Sequence, residues 1–137
     1  MAILTGVKSD EVENIWPLIE EDLSKAMDEK YTTKELLAGV KSKEMQLWIV
    51  YEDDIFLGSL ITQIINYPKE KSLFIIALGG RQSDKWFVLI RELSLWAKGI
   101  GCISVECLVK RPGMQKIIKR IGFKEASKLM RINLWAD

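Results

Sequence analysis

Between residues 12 and 27 the apolar side chains Val12, Ile15, Trp16, Ile19, Leu23, Ala26 and Met27 recur at helical spacing, while Glu20, Glu21 and Asp22 stay off that stripe. Asp10, with Glu13 three residues later, has the spacing of a capping box. Pro17 inside the pattern predicts a late start or a kink. Thr33 is suited to cap a short second helix carrying Leu36, Leu37 and Val40. The pattern then turns to strands. Leu47–Tyr51 and Ile55–Tyr67 flank the turn Glu52-Asp53-Asp54, and Ser72–Leu78 follows the turn Tyr67-Pro68-Lys69-Glu70. Residues 2–7 read as an earlier strand.

A long helix is predicted next. Trp86, Leu89, Ile90, Leu93, Trp96 and Ala97 form its stripe, and Gly99 and Gly101 end it. Phe87, Val88 and Leu95 add apolar surface off the stripe, which predicts burial on more than one side. Ile103–Val109 reads as a strand. Pro112 suits the first turn of a last helix whose inner face is Met114, Ile117, Ile118 and Ile121, with Gly122 as its stop. A final strand is predicted over Lys128–Trp135. The order is β-α-α-β-β-β-α-β-α-β. It implies one α/β (α+β) domain over residues 1–137, with a mixed, mostly antiparallel sheet and helices on both faces.

Composition narrows the chemistry. With 137 residues and 48% hydrophobic content, one domain can build its core without staples. Apolar runs such as Leu73–Leu78 are far too short to span a bilayer, and Met1–Gly6 lacks the basic start and apolar stretch of a signal peptide. A cytoplasmic protein without membrane partners is expected. Cys102 and Cys107 fall on one predicted strand five positions apart, facing opposite sides, and read as unpaired buried thiols. The sequence contains no histidine, which removes Ser-His and Cys-His pairs and His-containing zinc sites. No metal is expected.

The near-neutral net charge hides an asymmetry. Residues 1–70 carry 7 Lys/Arg against 14 Asp/Glu, and residues 71–137 carry 13 against 5. Two mutually attracting halves, or a head-to-tail contact between copies, would account for this; so would an anionic ligand on the basic half. Nucleic acid ranks last among such ligands, because no recognised motif accompanies the charge.

Leu78-Gly79-Gly80-Arg81 ends an apolar strand immediately before the two-Trp helix, and a second strand and a helix closing in Ile121-Gly122-Phe123 follow. This order, together with Gly58 near the start of a long strand, resembles the GNAT (Gcn5-related N-acetyltransferase) superfamily over nearly the whole chain. The resemblance implies direct acyl transfer from acetyl-CoA to an amine acceptor. Backbone N–H groups at a helix start would cradle the diphosphate, behind a Gln/Arg-x-x-Gly-x-Gly/Ala signature. With Arg81 as its leading residue, that pattern places Asp84 and Trp86 where small residues belong. A carboxylate there repels phosphate, and an indole is expected to fill the approach. Leu78, Gly79, Gly80 and Arg81, with Lys85 as a further charge partner, form the alternative cofactor loop; the glycines would equally suit a bulge at the strand end.

The family's Tyr acid corresponds to Ile118, which cannot donate a proton. Glu106 on the following strand is the candidate catalytic base, with an ion pair to Lys110 as its other reading. The segment Lys110–Lys116, with Lys119 and Arg120, would hold an anion or form a solvated face. Trp86…Trp96-Ala97…Gly101-Cys102, followed by Arg111-Pro112-Gly113-Met114, is also similar to short GNAT-like proteins of tailed bacteriophages. That similarity implies a second role, as a non-catalytic virion or assembly protein that contacts phage structural proteins or itself.

Overall fold

A computed structural model describes residues 2–26, 31–81, 83–109 and 112–135; the side chains of Ala26, Ser83, Asp84 and Pro112 are outside that description. Met27, Lys110 and Arg111, which figure in the sequence expectations, also lie outside it. The elements are β1 (Ile3–Val7), α1 (Val12–Ala26), α2 (Thr33–Lys41), β2 (Met45–Glu52), β3 (Ile55–Asn66), β4 (Lys71–Gly80), α3 (Ser83–Trp86), a 3₁₀ turn (Phe87–Leu89), α4 (Ile90–Gly99), β5 (Ser104–Cys107) and α5 (Pro112–Arg120).

The sheet order is β1-β2-β3-β4-β5. The first four strands are antiparallel in sequence, and β5 joins β4 in parallel. The β2–β3 hairpin closes on Asp53 and Asp54, both at positive φ, a backbone matched to the twist of the flanking strands. Two irregularities shift the register. Leu57 is the extra residue of β3 opposite β2, and Ile76 is the extra residue of β4 opposite β3. Consecutive Ile76 and Ala77 consequently pack on the same face.

Each face carries its own core. Val12, Trp16, Ile19 and Leu23 of α1 and Leu36 and Val40 of α2 cover Leu47, Ile61 and Ala77 on one face. On the other, Trp86, Phe87, Ile90, Leu93 and Ala97 cover Val50, Leu57, Leu60, Leu73 and Ile75. Met114 and Ile117 of α5, with Ile121 just beyond its end, pack against that second cluster.

Several expectations change. Pro17 is accommodated inside α1, within its first two turns. The cap of α2 is Thr32: its hydroxyl accepts from Glu35 N–H at 3.2 Å and bonds the Glu35 carboxylate at 3.1 Å. The long third helix is divided into α3, the 3₁₀ turn and α4. Both cysteines contribute to the same cluster, because Cys102 lies in the turn before β5, where its N–H bonds Ala97 O at 2.9 Å. They remain free thiols. The final strand is not formed: residues 123–135 have no regular structure, and Leu129, Met130, Ile132, Leu134 and Trp135 are exposed.

Candidate functional site at the β4–β5 split

The ladder between β4 and β5 runs only from Ser72↔Ser104 to Ile75↔Cys107. From Ile76 onward β4 continues to Gly80 beside β3, leaving roughly 15 Å of its other edge without β5, at about 3.3 Å per residue. The β4 bulge at Ile76 lies where the two strands part.

The hydrogen-bond phase of this edge follows from one contact. Arg81 N–H donates to Leu57 O at 2.7 Å. Antiparallel pairs alternate between bonded and unbonded positions, so Gly79 and Ala77 also bond β3. The peptide groups of Leu78 and Gly80 therefore face the open edge. They offer donors and acceptors to an extended ligand, as a neighbouring strand would.

The glycines have packing roles as well. A Cβ on Gly79 would lie 2.6 Å from Asp22 O, because the backbone of α1 crosses directly over it. Gly80 has φ +149°, and a Cβ there would lie 2.3 Å from Leu57 O. A Cβ on Gly58 would lie 2.7 Å from Trp86 Cζ2. Trp86 is thus turned into the core. It is fully buried, makes an edge contact with Phe87 at 4.7 Å, and donates its indole N–H to Arg81 O at 2.9 Å. This corrects the expectation that the indole fills the approach to the loop. The side chain of Asp84 lies outside the described residues.

Arg81 is exposed, with its own N–H and C=O both used within the fold. Lys85 is engaged by Glu52 at the end of β2, an ion pair that also holds the Glu52 carboxyl below its usual range. Sequence reading missed Glu52. Its only signal was an acid beside the hairpin turn, with nothing to indicate which cation would reach it.

Glu106 stands opposite Phe74, six residues back along β4 from Gly80 and so about 20 Å from it along the strand. It is half-buried, and Ser104 Oγ donates to its Oε1 at 3.4 Å. Ser104 Oγ in turn bonds the buried Ser72 Oγ at 2.8 Å. Ser104 is on the Glu106 face as strand alternation predicts, whereas Ser72 was missed, although a serine inside an apolar strand was a visible signal. Lys110, the alternative partner for Glu106, lies outside the described residues. The structure thus gathers Leu78, Gly79, Gly80, Arg81 and Lys85 at one end of β4 and sets Glu106 beyond the fork.

Two further groups complete the surroundings. Cys107, at the last paired position of β5, has its thiol pKa raised by burial to about 11, so it is a neutral thiol at ordinary pH. Ile118 is buried on α5, a hydrocarbon inside the core. Among the described residues no cluster of His, Cys, Asp or Glu is arranged to hold a metal, and no helix is long and apolar enough to cross a membrane.

No protein-family model matches the chain, and no curated protein matches it in sequence. Solved structures do match its fold. A ribosomal-protein-alanine N-acetyltransferase from Brucella melitensis superimposes with a TM-score of 0.73 at 10% identity, covering 98% of this chain and 99% of that one. An aminoglycoside N-acetyltransferase in complex with CoA gives 0.71 at 14% identity, covering 99% and 96%. A protein from Clostridium acetobutylicum described as a predicted acetyltransferase, with acetyl-CoA, gives 0.69 at 13% identity, covering 98% and 97%. At these identities the likeness establishes the fold: this chain is built as those acetyltransferases are.

Proposed function

We propose that the chain binds an acyl-CoA thioester along the open edge of β4 and transfers the acyl group to an amine. The observation that carries this reading is the edge itself. Beyond Ile75↔Cys107, the peptide groups of Leu78 and Gly80 face a fork that holds no strand among the described residues. An amide-bearing pantetheine arm would satisfy them as a strand does. The neighbours crystallised with CoA or acetyl-CoA supply the ligand class.

In this reading the Arg81 guanidinium, exposed at the strand end, attracts the diphosphate, and the N–H groups opening the helical segment at Ser83 receive it. Lys85 joins them by exchanging Glu52 for phosphate. Glu106, oriented by Ser104, accepts the proton that the amine loses as its nitrogen attacks the thioester carbonyl. The carbon–sulfur bond then breaks, and the departing thiolate takes a proton from solvent, since Ile118 has none to give. No acyl group is held by the protein itself.

Calorimetric titration with acetyl-CoA tests the binding step. At a hundred times its dissociation constant the ligand adds roughly 2.7 kcal/mol to stability, an easily detected rise in Tm. Arg81→Ala is expected to weaken binding. Glu106→Gln is expected to keep binding and lose acyl transfer. No heat and no Tm rise at millimolar acetyl-CoA would overturn the proposal. That result would leave a second reading, a non-catalytic assembly protein such as the phage resemblance suggests. The buried hydrocarbon at Ile118 favours it, because it removes the proton donor expected of a transferase.

A further inference from the structure

β5 has very little strand with which to hold Glu106. It is four residues long, Ser104–Cys107, and Glu106 lies one position from the end at which it parts from β4. The opposite, closed end is pinned. Ile103 N–H donates to Lys71 O at 2.8 Å, and Lys71 Nζ donates to Ile100 O at 2.7 Å. Next to that pin, Ser72 pairs with Ser104. Leu73, Ile75, Val105 and Cys107 face the second core cluster, so by alternation Ser72, Ser104 and Glu106 share the other face.

These three side chains form a hydrogen-bonded chain with one direction. Ser72 Oγ and Ser104 Oγ lie 2.8 Å apart, and either could donate. Ser104 Oγ also donates to Glu106 Oε1 at 3.4 Å, and a carboxylate oxygen only accepts. A hydroxyl has a single proton to give. Were Ser104 to give it to Ser72, Glu106 would lose this donor, and the Ser72 proton would have no acceptor among the described residues. Ser72 is fully buried, so a proton left that way would carry its whole desolvation penalty. The direction that places every proton runs from Ser72 to Ser104 to Glu106.

The two lengths show why the first link matters to the second. At 2.8 Å the serine pair has an ordinary O–H···O bond, whereas 3.4 Å lies near the long limit. The short bond fixes the Ser104 rotamer. The long bond exists only in that rotamer, because the other staggered wells swing Oγ away.

We propose that Ser72 is a positioning residue for acyl transfer: its hydroxyl commits the Ser104 proton to Glu106 and so holds the carboxylate that receives the amine's proton. This role rests on the reading of Glu106 as the base. It adds to that reading a buried residue that touches neither acyl donor nor amine.

Neutron diffraction from deuterium-exchanged crystals locates both deuterons without any substrate. The expected result is Ser72 O–D aimed at Ser104 Oγ and Ser104 O–D aimed at Glu106. A Ser104 deuteron aimed at Ser72 would overturn the proposal. Kinetics with acetyl-CoA and three acceptors, spermidine, kanamycin and a lysine-containing peptide, test the consequence. Ser72→Ala is expected to lower kcat roughly tenfold at unchanged KM for acetyl-CoA, a part of the roughly 100- to 10,000-fold that a positioned base supplies. In a Glu106→Gln background the same substitution should leave the residual kcat unchanged, because its effect passes through that carboxylate. Wild-type kcat in Ser72→Ala, an equal loss in the Glu106→Gln background, or a loss matched by a higher KM would each sink the role of Ser72 while leaving Glu106 as the base. A wild type inactive toward all three acceptors, or a Glu106→Gln variant as active as wild type, would instead remove the base itself, and this role with it.

Discussion

The indole of Trp86 occupies the space that any side chain at Gly58 would need, with Cζ2 only 2.7 Å from where a Cβ would stand. Glycine at 58 and tryptophan at 86 are therefore one packing decision made by two distant residues. The Gly79 carbonyl lies 2.9 Å from the same point, so β4 blocks the alternative escape. Gly58→Ala is expected to cost about 1–3 kcal/mol, the usual range for forcing volume into a filled core. Urea unfolding would show it as a lower midpoint at unchanged slope. A midpoint equal to wild type would mean that the indole moves freely.

Ser59 offers the opposite sign. Its hydroxyl is fully buried on the α1 face of β3 and has no hydrogen-bond partner in the structure. An unsatisfied buried hydroxyl costs on the order of 1–3 kcal/mol, and Ser59→Ala removes it while leaving little void. The variant is expected to be more stable than wild type by about 1 kcal/mol in the same assay.

The Glu52–Lys85 pair sets an acid-side dependence. Hydrogen bonding from Lys85 is the main cause that lowers the Glu52 pKa from 4.5. A carboxyl depressed in the folded state contributes stability above its unfolded pKa, and that contribution is lost as pH falls through the folded value. Wild type should thus lose stability below about pH 4.5 more steeply than Glu52→Gln. The same variant releases Lys85, so acetyl-CoA should bind it more tightly than wild type. Unchanged or weaker binding would remove Lys85 from the phosphate site.

Cys107 governs the alkaline side. Its thiol pKa rises from 9.0 to about 11 on burial, so its protonated form favours the folded state. This contribution is complete below pH 9.0 and declines as pH rises to about 11, because only the unfolded chain ionises in that window. Cys107→Ala should flatten the decline between those limits, measured by denaturant unfolding at fixed ionic strength. Alkylation of the native thiol should stay slow until the same window is reached.

The element order was legible because each segment declares its period. The α1 stripe of Val12, Trp16, Ile19 and Leu23 and the alternating burial along β4 are properties of single segments. The boundaries were less legible. Thr32 and Thr33 are adjacent threonines, and only the bond to Glu35 decides which of them caps α2. The segment 128–135 has a strand's composition, yet a strand needs a neighbour, and composition does not name one. The site was legible as a place but not as an arrangement. Leu78–Arg81 marked the end of β4, but the inward turn of Trp86 depends on Gly58, 28 positions away. The engagement of Lys85 likewise depends on Glu52, which only the folded sheet brings near.

Gly79 ties two parts of the molecule that a side chain would have kept apart. The contact there is main chain on main chain, with the Asp22 carbonyl 2.6 Å from where a Cβ would stand, and no rotamer change can open it. The last turns of α1 and the final residues of β4 must then drift together through evolution, or not at all. A lineage that reshapes the first helix would inherit a displaced fork as a side effect.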